Sequence, residues 1–430
     1  MPAYKINVKN NLKINKNLPL IMHIDMNSFF ASCEQQENPL LRNKPLGVVP
    51  YLSNKSTVIA ASYQAKAFGV KTGTKVIEAK KLCPSIKFVL ADPPKYRYIN
   101  KKFMRVFKKF TPNTYAKSID EAYLNFADSI FFKNILSKYS FKNKRKSHKK
   151  ACNEVAKIIK KELHNEIGEY INCSIGVGTN TFLAKVASNI NKPNGYYYVD
   201  YKNLNLFYKN LQLIDLHGVG PKINSRLNKI GLKSCIDFLN CDINKLKGEF
   251  KFFGYQWYLR LRGYECDDIT FKQKNIGHSF HLQKFTNNQN YLKIVILKLT
   301  EKAVNRLRKG KFCARGFSVY IVFTNGKTFL KSHRIKNHIN STKDIYEQFI
   351  NLFEQSTNKN LNVKIIGVSI SYLKKQSLNL QDDLFGFNTK KQNLNKALDT
   401  INSKFGDFTI YPGTLVNYKD IAPDRISFGK

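Results

Sequence analysis

Acidic residues are scarce. The 430-residue chain carries 30 Asp and Glu against 72 Lys and Arg, a formal charge of +42. That balance points to a polyanionic partner, nucleic acid first and an anionic membrane surface second. No run of 18 or more apolar residues occurs, which excludes a spanning helix. The stretch from Met1 to Asn17 is rich in Lys and Asn, lacks an apolar core and does not read as a secretory signal. None of the eight cysteines falls in a CxxC pair. This disfavours a disulfide framework and a structural zinc site, and suits a reducing cytoplasm. There is no internal repeat and no second acid cluster of exonuclease type. What is present is a 43% hydrophobic complement, too much for a disordered chain and enough for about two to four domains.

Pro19 to Asp25 is a short apolar run ending in a carboxylate, as a buried strand with a functional tip would be. Ser28–Glu37 can start a helix. Tyr96–Phe110 has helical periodicity, and Thr114–Ile119 and Ala122–Phe126 read as strands around Asp120 and Glu121. Residues 142–150 (KNKRKSHKK) read as a basic loop before an amphipathic helix over 151–167. Ile171–Val177 is a strand followed by a helix over Thr181–Ile190. Residues 200–265 are short helices punctuated by Gly. From 276 to 375 the pattern is β-α-β-β-α-β, with Ile366, Val368, Ile370 and Tyr372 on one face of the last strand. Residues 376–430 read as weakly structured.

Two acidic segments end or interrupt apolar strands: His23-Ile24-Asp25-Met26-Asn27-Ser28-Phe29-Phe30 and Ser118-Ile119-Asp120-Glu121-Ala122-Tyr123-Leu124. In so basic a chain, acids inside apolar strands need an explanation. Hard divalent cations held by three carboxylates would supply one, because Mg²⁺ prefers oxygen ligands and leaves positions for phosphate oxygens. The alternative is that these acids cap strands or pair with nearby lysines.

The segments HIDMNSFFASCEQ, AASYQAKAFGVKTG (60–73), SIDEAYL and KPNG, in this order and spacing, resemble the Y-family DNA polymerases, the translesion enzymes of the DinB/UmuC type. The resemblance runs from about residue 19 to 385. It implies an α+β right-hand polymerase. The basic N-terminal tail would be 1–18, the palm 19–28 and 93–199, and the fingers 29–92. A helical thumb with a helix-hairpin-helix would span 200–265, a linker 266–275, a β-α-β-β-α-β little finger 276–375, and a C-terminal tail 376–430. It implies that Asp25, Asp120 and Glu121, with the Met26 carbonyl, bind two Mg²⁺ (Mn²⁺ able to substitute). Glu121 would stand near the primer 3′-hydroxyl.

The resemblance also implies nucleotide contacts. Phe30 matches the family's steric gate, whose ring excludes a 2′-hydroxyl; by residue type alone it could be an ordinary core Phe. Tyr63 and Lys66 match fingers residues that hold the triphosphate, Lys66 standing where the family usually has Arg. A helix start there would offer N–H groups to anions. Lys192, in KPNG, matches a palm lysine that reaches the triphosphate. Ala60, Ala61, Ser62, Ala65 and Ala67 would leave a loose roof over the nascent pair.

Gly218, Gly220 and Lys222, in LHGVGPK, resemble a helix-hairpin-helix that approaches DNA phosphates. Gln381, Leu384 and Phe385, in QDDLF, resemble a peptide for a bacterial-type sliding clamp. The stretch 396–411 resembles UmuC-like tails, whereas KPNG looks more like DinB. The expected partners are primer-template DNA, deoxynucleoside triphosphates and the clamp, with no membrane, for a cytoplasmic monomer. Two other readings fit parts of the pattern. A metal-dependent nuclease would explain the acids and bases but not Phe30, Tyr63 and Lys192. A non-catalytic DNA- and clamp-binding protein would not need all three carboxylates.

Overall fold

The structure is a computed structural model that describes residues 12–139, 142–267, 274–356, 358, 360–375, 387–406, 408–418 and 420–422, with backbone alone over 387–392. Gln381, Leu384 and Phe385 lie outside the described residues. The chain divides into two compact units near residue 270.

In the first unit, eight strands among the described residues form two sheets: β1 (Ile21–Met26), β2 (Leu46–Val49), β3 (Ala60–Ala61), β4 (Lys87–Leu90), β5 (Thr114–Ala116), β6 (Glu121–Asn125), β7 (Cys173–Gly178) and β8 (Tyr196–Tyr198). The larger sheet has the order β5-β6-β1-β7-β8 and the smaller β3-β2-β4. β1 is central and buried at every position, with apolar residues on both faces and His23 and Asp25 set among them. Helices Phe29–Glu37, Pro93–Lys108 and Lys144–Glu166 share its core through Phe29, Phe103, Phe107, Val155 and Ile159. The helix Thr181–Ala187 packs on β7 and β1. A second core under β2 and β3 joins Val49, Val58, Ala61, Ala65 and Val76. Short helices over 204–261 close around Phe207, Tyr208, Phe238 and Trp257.

The second unit has the expected β-α-β-β-α-β order: β9 (Asn275–Thr286), helix Gln289–Lys309, β10 (Phe312–Phe323), β11 (Thr328–Ile339), helix Thr342–Glu354 and β12 (Val363–Lys375). Its sheet runs β11-β10-β12-β9, antiparallel throughout. Ile366, Val368 and Ile370 are buried. Tyr372 is not: a φ of 53° breaks the alternation, leaving the ring 56% exposed and within 4.4 Å of the Arg334 guanidinium.

Three regions differ from the sequence reading. Residues 12–17 are fixed rather than a loose tail: Leu12 and Ile14 pack on the helical core, and Asn15 N–H donates to Arg262 O at 2.9 Å. The basic loop is helical from Lys144, because Asn143 caps its first turn and Ser147 and His148 are buried. The C-terminal region forms a helix, Phe387–Phe405. Arg308 Nε donates to Asp399 Oδ2 at 2.7 Å, Lys302 Nζ donates to Ala422 O at 2.5 Å, and Ala422 joins the second unit's core.

Candidate active site

The β1–β6 register sets Asp25 directly opposite Glu121. Asp120 precedes Glu121 at the same sheet end, where its carbonyl accepts the Met26 N–H at 2.9 Å. Three acidic residues thus meet at one end of two adjacent strands.

Two lysines stand over them. Lys192 Nζ lies 2.7 Å from Asp25 Oδ1. Lys185 Nζ is bonded to Glu121 Oε1 and lies 3.7 Å from Asp25 Oδ2. Lys185 is only 8% exposed. It is brought there by close packing: a Cβ on Gly176 of β7 would fall 2.1 Å from Ala184 O of the lysine's helix. The Asn180 side chain caps that helix by accepting Leu183 N–H, and Glu265 accepts Thr181 N–H at 2.8 Å.

His23, fully buried, lies 3.8 Å from Glu121 through Nε2 and 2.8 Å from Ser188 Oγ through Nδ1. Burial works against the Glu121 charge, but His23 and Lys185 outweigh it and hold the carboxyl well below its usual range. Burial pushes Asp120 up, opposed by the Ser118 hydroxyl and assisted by the charges of Glu121 and Asp25. Burial lowers His23, against the pull of Glu121.

The cleft beside these acids measures about 220 Å³ and is lined by Asp25, Met26, Phe30, Ala60, Tyr63, Lys66, Asp120 and Lys192, among others. Phe30 is stacked on Tyr96 and only 3% exposed. Ser28 adopts a left-handed conformation, φ 47°, unusual for a residue with a side chain. Its hydroxyl accepts Lys66 Nζ at 2.7 Å. The Lys66 ammonium also sits 4.4 Å from the Tyr63 ring centroid. Burial, the Asp25 charge and an opposing bond to Ser28 leave the Tyr63 phenol pushed up to about 12. Burial and the neighbouring Lys192 charge lower Lys66, against Asp25.

Of the five small residues expected to form the roof, Ala60 and Ala61 line the cleft. Ala65 instead fills the core under β2, and Ser62 is spent capping the helix Tyr63–Ala67, its oxygen accepting Ala65 N–H at 3.3 Å. That bond uses one of the N–H groups expected to face an anion.

The KPNG turn is tied to the strand end by Asn194 N–H donating to Asn27 Oδ1 at 2.6 Å and Gly195 N–H donating to Ser174 Oγ at 3.1 Å. Gly218, Gly220 and Lys222 lie apart from the cleft lining, at the start of the helix Pro221–Lys229. Gly218 has φ 94°, so a side chain there would be strained, and its Cβ would sit 3.4 Å from the Trp257 ring. Gly220 is extended with open space around it, and Lys222 is exposed.

Sequence reasoning missed Lys185, His23 and Asn27. The available signal was the paired glycines of β7 before an Asn-capped helix, which mark a close helix–strand contact.

Among the described residues, no three His, Cys, Asp or Glu side chains already converge as a metal cage. The donors are nevertheless all oxygen, and two ammonium groups stand where the cluster's negative charge is neutralised. Such a set suits a hard divalent cation.

Comparison with known proteins identifies the family. The impB/mucB/samB family model matches residues 24–189 and its C-terminal-domain model residues 273–384. A DNA polymerase IV from Pelotomaculum thermopropionicum is 30% identical over 396 residues, covering 91% of this chain and 94% of that protein. DNA polymerase IV 1 of Bacillus subtilis is 27% identical over 419 residues, 96% of each chain. A solved Y-family polymerase chimera, Dbh-Dpo4(243-245)-Dbh, superposes with a TM-score of 0.69 at 25% identity, covering 83% of this chain and 99% of that one. The fold and these relatives define a nucleic-acid polymerase. The chain belongs to the impB/mucB/samB family of Y-family DNA polymerases. It is a DNA-directed DNA polymerase of the translesion class, acting on DNA and nucleotides with a divalent metal. No helix among the described residues is long and apolar enough to cross a membrane.

Proposed function

We propose that the cleft is where primer extension occurs, with Asp25, Asp120 and Glu121, and the Met26 main-chain carbonyl, holding two Mg²⁺ ions. The observation that carries this reading is the direct opposition of Asp25 and Glu121 across β1 and β6, with Asp120 beside them. When bound, the ions neutralise phosphate charge and lower the pKa of the primer 3′-hydroxyl; Mn²⁺ can replace them.

The chain's own groups do the positioning. Phe30 lies under the sugar and excludes a 2′-hydroxyl. Tyr63, Lys66 and Lys192 take the triphosphate, with Lys192 exchanging Asp25 for a phosphate oxygen. The cleft of about 220 Å³ takes the sugar and phosphates, and the base stacks on its template partner. Small Ala60 and Ala61 favour tolerance of damaged templates at the expense of fidelity.

In this reading the palm is 19–28 and 93–199, the fingers 29–92, the thumb 200–265 and the little finger 276–375. Gly218, Gly220 and Lys222 hold a DNA phosphate. Gln381, Leu384 and Phe385 dock on a bacterial-type sliding clamp, and the enzyme works as a cytoplasmic monomer. Changing these three residues to Ala is expected to abolish stimulation by the clamp and leave unassisted extension intact.

The experiment is primer extension on an undamaged template with Mg²⁺ and four deoxynucleotides, beside Asp120→Ala. Extension by the wild type alone is expected. Extension by both would remove the metal-site assignment, and shortening of the DNA would point to a nuclease.

A further inference from the structure

Lys185 is absent from the set of groups given a role above, yet it is the basic residue most deeply set into the carboxylate cluster. It is 8% exposed. Its ammonium bonds Glu121 and lies 3.7 Å from Asp25. Its position is built rather than incidental. Gly176 and Gly178 let its helix touch β7: a Cβ on Gly178 would meet Ala184 N at 2.6 Å. Ser188 Oγ donates to the Lys185 carbonyl at 2.8 Å and also meets buried His23, so the helix end and the Glu121 neighbourhood are fixed together.

Buried carboxylates cannot stay charged side by side without compensation. Lys185 supplies that compensation without any cation. Its ammonium lies against carboxylate oxygens of both Glu121 and Asp25, and its charge would repel an incoming divalent ion. Lys192 does the same from the cleft, but at 27% side-chain exposure it is free to follow an incoming phosphate, whereas Lys185 is walled in.

We propose that Lys185 is a built-in counterion that opposes cation binding in the substrate-free protein, so that metal loading is coupled to arrival of DNA and nucleotide. The inference rests on the metal site proposed above. It assigns Lys185 a positioning role, holding the Glu121 side chain in place between turnovers.

The test is Mn²⁺ binding to the full-length protein without DNA or nucleotide, read from the electron paramagnetic resonance signal of free Mn²⁺. Lys185→Met is expected to bind Mn²⁺ about tenfold or more tightly than wild type, because a buried repulsive charge is gone. Lys185→Arg should resemble wild type, and Lys87→Met, which removes an exposed charge on β4, should change nothing. Lys185→Met is also expected to melt at a lower temperature than wild type without Mn²⁺ and to regain most of the difference with it. Lys185→Gln gives the same readout if the Met variant does not fold. Equal or weaker Mn²⁺ binding in folded Lys185→Met or Lys185→Gln would overturn the counterion role. Adding Asp25→Asn separates the two readings. Tight Mn²⁺ binding that survives Asp25→Asn would overturn the metal site itself, whereas Asp25-dependent binding indifferent to Lys185 would overturn only this inference.

Discussion

Phe30 lies flat against Tyr96, with ring centroids 4.4 Å apart and planes 12° apart. Tyr96 is itself pinned: its hydroxyl donates to Glu34 Oε1 at 2.6 Å, and Glu34 Oε2 accepts Lys95 Nζ at 2.8 Å. A ring supported this way cannot swing aside to admit a bulkier sugar. Phe30→Ala is expected to raise ribonucleotide use relative to deoxynucleotides by about tenfold or more, measured as the ratio of kcat/KM values. Tyr96→Phe keeps the stack and loses only the hydroxyl. It should leave sugar choice unchanged and cost about 1 kcal/mol of stability. Unchanged sugar discrimination in Phe30→Ala would remove the gate assignment.

Glu121 can be neutralised without changing its size. Glu121→Gln is expected to slow extension by about a hundredfold or more. DNA affinity should stay within about twofold, since phosphate contacts dominate it. Fluorescence anisotropy beside single-turnover extension separates the two. A parallel fall in binding would mean that the residue shapes the DNA surface and not the chemistry.

Gly176 is a test of packing rather than chemistry. A methyl group there meets a backbone oxygen at 2.1 Å, and the helix carrying Lys185 must move. Gly176→Ala should lower stability by about 2 kcal/mol or more and reduce extension through the displaced lysine. Urea unfolding checks the first, as a shifted midpoint with unchanged slope.

His148 gives the molecule a pH dependence away from the cleft. It is buried against Phe132, and burial, opposed by Asp200, pulls its imidazole down to about 4. Above pH 6.5 neither the folded nor the unfolded chain protonates it. Between pH 6.5 and about 4 the unfolded chain takes up a proton that the folded one refuses, so stability falls as pH falls through that window. The loss from this one residue approaches roughly 3 kcal/mol at the lower end. His148→Phe should flatten the stability profile over the same interval. A wild-type profile without that slope would show that the imidazole is solvated.

The strand carrying Asp25 was legible because a central strand must be apolar on both faces, and the carboxylate at its end stood out against so few acids. The β-α-β-β-α-β order was legible from period alone. Partnership across distance was not. Lys185 looks like any lysine of a basic chain until the contact at Gly176 turns it inward. Residues 142–150 looked like a solvated loop because their charge is the loudest signal. What makes them helical is quieter: one Asn cap and two polar residues, Ser147 and His148, that happen to be buried. Tyr372 continues a clean alternation in sequence, and only a local backbone reversal, invisible in residue type, turns it out. Residues 387–422 lacked the apolar density of a core segment, yet a few well-placed contacts hold them down.

Those contacts change what a late stop codon would do. Asp399 meets Arg308, Ala422 O meets Lys302, and Phe408 covers Lys298 at 3.4 Å. A message cut after residue 386 would keep every motif of the polymerase yet remove one contact from each of three basic side chains of the helix Gln289–Lys309. Loss-of-function alleles should therefore accumulate among residues 387–422 through poor protein yield, even where the chemistry is encoded in full.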